Sequence, residues 1–262
     1  MHARSHHDKA LPVRGLACAA AGPILQDMRG AWKLGRFAGI DAYVHWTFAL
    51  LMAWAGWSAW RGAGTGLAVV LGLGFLIAVF GSVLLHELGH ALVARRWGVP
   101  TRHILLTPIG GVASIEGMPR APRAELQVAL AGPAVNLVIA AVLALVGSTT
   151  GASMFGLVDA LMWANLSLAL FNLIPAFPMD GGRALRAILA GRIGPNAATK
   201  LAVRLGRVVA VAMAVLGLLY NPMLVLIAAF VWFAGAAEMK ASAAEDRGGW
   251  LSPRMAVVRR GV

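Results

Sequence analysis

The chain has 262 residues, of which 59% are hydrophobic and only 13% charged, with a positive mean hydropathy; a soluble domain is roughly half apolar and a quarter charged. Most of the surface must therefore meet lipid rather than water. The formal net charge of +12 does not point to nucleic acid, because the basic residues avoid the long apolar runs and gather at their ends. The single cysteine, Cys18, excludes an internal disulfide or thiolate cluster, so any metal must be held by histidines and carboxylates.

Residues 1–42 read as a cytoplasmic amino-terminal tail, partly disordered or including a mis-assigned start, with translation beginning at Met28. Leu11 to Leu25 imitates a signal peptide, but Arg14 and Pro23 interrupt its apolar core. A bilayer core about 30 Å thick takes about 20 apolar residues per helix, which predicts spans at 43–60, 67–95, 124–147, 156–176, 201–220 and 222–239. The expected fold is an all-α polytopic membrane protein: a six-helix domain over 43–239, a functional core at 67–182, and a cytoplasmic tail at 240–262. Between the second and third spans, Ile104-Leu105-Leu106 and Val112-Ala113-Ser114-Ile115 flank Pro108-Ile109-Gly110-Gly111. That pattern suggests a small membrane-associated β-hairpin, with an ordinary loop as the alternative.

Asn221-Pro222 is either a turn between two helices or a kink in one. With six spans and the amino terminus inside, the external connections carry only Arg61, whereas a single kinked helix would export Lys240, Arg247, Arg254, Arg259 and Arg260. The positive-inside tendency favours six spans with both termini cytoplasmic. The second and fourth helices then both run inward, and their cytoplasmic ends lie at similar depth.

The second span contains His86-Glu87-Leu88-Gly89-His90. Residues four apart on a helix stack on one face, so both imidazoles can reach one zinc ion. Glu87 is turned away from that face and is suited to accept the proton of an attacking water instead. Ionisable groups in mid-span cost about 2.5–3.5 kcal/mol each on insertion scales, so a cluster of them needs a compensating function. Catalytic zinc takes three protein ligands and keeps one position open. For the third donor, His45, His103, the tail residues His2, His6 and His7, and the carboxylates Asp159, Glu116, Glu125 and Glu238 are weaker candidates than Asp180. Asp180 follows Asn172-Leu173-Ile174-Pro175-Ala176-Phe177-Pro178-Met179 and precedes Gly181-Gly182. The two prolines break the fourth span, and lipid cannot satisfy the freed backbone groups, so this segment must be buried in protein or line a wet cavity.

H-E-x-x-H in one span, Asn-x-x-Pro-x-x-Pro-x-Asp-Gly closing a later one, and Gly132-Pro133-Ala134-Val135-Asn136 between them together resemble the site-2 protease family of intramembrane zinc metalloproteases. The resemblance implies one Zn2+ per chain held by His86, His90 and Asp180, with Glu87 as the catalytic residue. It further implies Asn172 at the site as a substrate or oxyanion donor, and a hairpin that aligns substrate by strand addition. Some relatives carry CBS modules or a PDZ domain; the residues after 239 are too few for either, so nucleotide regulation is not expected here. The implied activity is hydrolysis of peptide bonds in or near membrane spans, in regulated intramembrane proteolysis within a bacterial inner membrane. The implied partners are the lipid bilayer and a single-span substrate such as an anti-sigma-factor-like regulator, with homo-oligomerisation left open and no nucleic acid. The competing classes are a metal transporter, disfavoured by the scarcity of polar residues in spans three, five and six apart from Asn136, and a silent scaffold, which leaves Glu87 unexplained.

Overall fold

The computed structural model describes residues 30–108, 110–115, 121–150 and 156–248. Among them run β1 (Ala31–Phe37), β2 (Ile40–His45), α1 (Thr47–Ala63), α2 (Gly66–Arg96), β3 (Thr101–Thr107), β4 (Gly110–Ile115), α3 (Pro122–Thr150), α4 (Leu157–Asn172), α5 (Asp180–Ile193), α6 (Pro195–Tyr220) and α7 (Pro222–Gly248). The helical membrane fold expected from composition is the one found. By length and apolarity α2, α3, α6 and α7 can each cross a bilayer. Helix α4 is apolar but has 16 residues, about 24 Å at 1.5 Å per residue.

The packing reverses the soluble pattern. Buried positions are dominated by alanine, among them Ala91, Ala94, Ala124, Ala169, Ala176, Ala202 and Ala210, while Leu50, Trp54, Val138, Leu145, Leu218 and Phe233 point outward. Small residues let helix backbones approach closely where lipid is the solvent, and large apolar side chains face the acyl chains.

Helices α6 and α7 pack against each other, and Asn221 Oδ1 caps α7 by accepting the Met223 N–H at 3.0 Å. Asn221-Pro222 is thus a turn between two helices, as the charge distribution predicts.

Three features differ from the sequence reading. Residues 31–45 were assigned to the tail and the start of the first span, but they form a β-hairpin whose turn, Ala38-Gly39, has positive φ at both positions. This hairpin joins the predicted β3–β4 hairpin through a parallel β2–β3 pairing, giving one sheet in the order β1-β2-β3-β4. Its inner face, Ile40, Ile104 and Leu106, packs on Leu88 and Ala91 of α2, and Arg95 of α2 donates to Ala38 O at 2.8 Å. The second difference is that the fourth span stops at Asn172 rather than 176, because Pro175 and Pro178 supply no N–H. The third is α5, an unpredicted helix with three arginines (Arg183, Arg186 and Arg192) that buries only Gly181, Gly182, Ala184 and Ala187. Residues 1–29, which hold the ambiguous apolar stretch and Met28, lie outside the described residues, as do 249–262 of the predicted tail.

Candidate metal centre

Helix α2 carries both histidines in its C-terminal third. The imidazole rings lie 4.7 Å apart edge to face, as an i, i+4 pair on one face should. Asp180 is the first residue of α5 and reaches the same point from the far side. The Nε2 atoms of His86 and His90 and Oδ2 of Asp180 lie pairwise 3.1 Å apart, and all three residues are buried.

The surrounding helices are shaped to this cluster. His90 Nδ1–H donates to the Val128 carbonyl of α3 at 2.6 Å, which fixes the tautomer that leaves the Nε2 lone pair facing His86 and Asp180. Helix α3 comes so close at Gly132 that a methyl group there would lie 2.6 Å from His86 Nε2 and closer still to His90 Nε2. On the other side Gly181 and Gly182 rest on the backbone of Leu173, Ile174, Ala176 and Phe177, which lets α5 start directly against the broken end of α4. The freed backbone groups there are satisfied locally, with Met179 N–H donating to Ala176 O at 3.0 Å and Gly182 N–H to Met179 O at 3.1 Å.

This donor set fits one metal ion. Zinc at about 2.0–2.1 Å from tetrahedral nitrogen or oxygen donors holds them about 3.3 Å apart, close to the observed 3.1 Å. Three donors of this type leave one position open.

Beside the cluster lies a cavity of about 590 Å³ lined by Glu87, Asn136, Asn172, Arg183 and the strand-end residues Gly110 and Gly111, among others. Glu87 abuts β4: a methyl on Gly111 would come within 2.6 Å of its Cγ. The turn end of the β3–β4 hairpin, Thr107, Gly110 and Gly111, borders the cavity, and β4 is the last strand of the sheet. Asn172 uses one amide N–H to hold the Leu168 carbonyl at 3.0 Å.

The weaker ligand candidates sit elsewhere. His45 Nδ1 pairs with Thr47 Oγ1 at 2.8 Å, and His103 meets Tyr43 edge-on. Asp159 starts α4. Glu125 and Glu238 both pair with Arg186, Glu125 at 2.7 Å from Nε and Glu238 at 3.5 Å from Nη1, tying α3, α5 and α7 together. His2, His6, His7 and Glu116 lie outside the described residues. The sequence assigns no role in the site to the Val128 carbonyl or to Arg183, and it reads Gly111 only as part of a turn, whereas Gly111 lies in β4 against Glu87. Gly132 and Asn136 stood inside a motif whose purpose spacing alone does not reveal.

Residues 74–156 and 147–213 match the sequence profile of Peptidase family M50. The chain is 39% identical over 221 residues to a zinc metalloprotease of Methanocaldococcus jannaschii, an alignment covering 79% of this chain and 60% of that protein. It is 40% identical over 204 residues to Rip3 of Mycobacterium tuberculosis, covering 73% of this chain and 52% of that protein. The aligned stretch thus spans little more than half the length of these two relatives. The solved structure of the site-2 protease from Methanocaldococcus jannaschii superposes with a TM-score of 0.57 at 39% identity, over 80% of this chain and 95% of that one.

Proposed function

The chain belongs to peptidase family M50, and from that premise we propose that it is a zinc-dependent membrane endopeptidase that cleaves other membrane proteins in or near their spans, in regulated intramembrane proteolysis. The observation that carries this reading is the convergence of His86, His90 and Asp180 at 3.1 Å beside Glu87, on a helix long enough to cross the bilayer. In this reading the three residues hold one zinc ion. When bound, zinc would supply Lewis-acid chemistry, polarising the scissile carbonyl and lowering the pKa of bound water to about 7.

Glu87 accepts the proton of the attacking water and returns it to the leaving amine. Its side chain lies against Gly111 of β4. Asn172 orients the substrate carbonyl or its developing oxyanion with the amide N–H not given to Leu168. A peptide must leave its helix before a carbonyl is free to react. The edge of β4 offers main-chain partners for that extended segment, by strand addition alongside Gly110 and Gly111. Substrates with helix-weakening residues near the cytoplasmic end of a single span, such as anti-sigma-factor-like regulators, suit this requirement. The distribution of Lys and Arg supports both termini on the cytoplasmic side, in a membrane that this reading takes to be a bacterial inner membrane.

Co-expression with a tagged single-span substrate tests the reading. Glu87→Gln retains zinc and loses cleavage, whereas cleavage at the wild-type rate in that variant overturns the mechanism.

A further inference from the structure

Among the described residues, two buried polar atoms beside the metal centre have no hydrogen-bond partner: Nδ1 of His86 and Oδ1 of Asn136. Their characters are complementary. A neutral imidazole that offers Nε2 to a metal carries its proton on Nδ1, which is then a donor, while an amide oxygen only accepts. Leaving either group buried and unmatched is unfavourable. Both residues line the same cavity, and Asn136 is 1% exposed.

Helix register brings the two together. Val128 meets His90, and Gly132, one turn further along α3, meets both His90 and His86, so α2 and α3 run antiparallel past the site. Asn136 is one turn beyond Gly132 on the same face of α3, level with the turn of α2 that precedes His86. Helical side chains lean toward the N-terminus of their own helix, which tips the His86 ring toward that turn. Ser82, the buried polar residue on the facing turn of α2, already donates its hydroxyl to Ala78 O at 3.2 Å. It is therefore not the donor that Asn136 lacks.

We propose that Asn136 is a positioning residue for the metal centre. Its Oδ1 accepts the His86 Nδ1–H bond, through a small side-chain rotation or one bridging water, and so fixes the tautomer and ring angle at which His86 Nε2 meets the metal. On this assignment each histidine has its own partner on α3, the Val128 carbonyl for His90 and the Asn136 amide for His86. The inference rests on the metalloprotease reading above and adds a requirement to it.

The test uses the full chain purified in detergent, with zinc affinity measured by chelator competition. Outer partners of metal-bound histidines typically contribute about 10–100-fold to metal affinity. Asn136→Ala is expected to weaken zinc binding by that order and to shift the ligand-field bands of the cobalt-substituted protein. Asn136→Leu, which keeps volume without an acceptor, gives the same readings, and Asn136→Asp, which keeps an acceptor in place, stays close to wild type. Thermal unfolding separates positioning from packing: the metal-free variants melt with metal-free wild type, and only the rise in Tm on adding zinc shrinks. Unchanged zinc affinity in both Asn136→Ala and Asn136→Leu, an equal Tm loss with and without zinc, or no recovery in Asn136→Asp overturns the assignment. If wild type binds one zinc and Asn136→Ala binds it equally tightly, only the role of Asn136 fails; if wild type binds none, the metalloprotease reading fails and this inference with it.

Discussion

Replacing Gly132 by alanine tests how closely α3 is fitted to the metal centre. The added methyl group would lie 2.6 Å from His86 Nε2, and ordinary contact between such atoms begins near 3.5 Å. Something must therefore give by about 0.9 Å at His86 and by more at His90. Helix α3 cannot simply retreat. It already meets α2 at Gly89, where a methyl would come within 2.9 Å of Val135 Cγ2, and withdrawal would stretch the 2.6 Å bond from His90 to Val128. The imidazoles must turn instead, opening the 3.1 Å donor spacing. Overpacking of this kind costs about 1–3 kcal/mol of stability, which a bundle of this size survives, but a 1 Å misplacement in a catalytic assembly costs about 100-fold in rate. The expected outcome is a folded protein with kcat/KM for a single-span substrate lowered about 100-fold and weakened zinc retention, read by immunoblot of the cleaved product and by metal analysis. Gly74→Ala on the same helix as the histidines is the control: nothing lies within 4 Å of its added methyl, and activity should hold. Wild-type cleavage with full zinc in Gly132→Ala would refute the argument that only glycine fits there.

Other outcomes follow from the same geometry. Asp180→Ala should lose stoichiometric zinc by metal analysis, and full retention would redirect the search for a third ligand to His45 or His103. A strong chelator should abolish cleavage, with restoration by added zinc. Gly111→Ala pushes against Glu87 Cγ, so kcat should fall by part of the 10²–10⁴ that a positioned general base supplies, while zinc content stays at wild type. Arg186→Leu strands the buried carboxylate of Glu125, which should cost about 3–5 kcal/mol in thermal or denaturant unfolding. Adding Glu125→Leu to it should recover much of that loss.

What was legible in the sequence tracks the range of the interaction involved. The i, i+4 histidines and the proline-broken span ending in Asp180 are local patterns, and helix geometry turns them directly into a face and a terminus. The turn at Asn221 was legible through charge, which acts on whole connections. The hairpin of residues 31–45 was not, because its period-two signal, Ile40, Ala42 and Val44, is short and sits among Lys33, Arg36 and Asp41. Much of its support comes from distant residues, through the pairing of β2 with β3, the packing on Leu88 and Ala91 and the bond from Arg95 to Ala38. Helix α5 escaped for a related reason. Its buried face is glycine and alanine, which carry little hydropathic contrast against the arginines opposite. The Val128 carbonyl that orients His90 is a backbone atom, and no residue type encodes it.

The small residues that make this bundle hard to read are also what place polar chemistry inside it. Without a hydrophobic force between helices, lipid-embedded helices hold together by close approach, and close approach needs glycine or alanine at the contact. Gly89 and Gly132 let α2 and α3 touch, and Gly181 and Gly182 let α5 start against the stump of α4. Those same contacts bring His86, His90 and Asp180 within 3.1 Å of one another. Because α4 ends at Asn172, the space beyond it becomes the cavity that Glu87, Asn172 and the glycines Gly110 and Gly111 of β4 share. A substitution that restores a full-length fourth helix, removing Pro175 and Pro178 together, would therefore be expected to abolish cleavage even with both histidines intact, because Asp180 would be carried away from them along the helix.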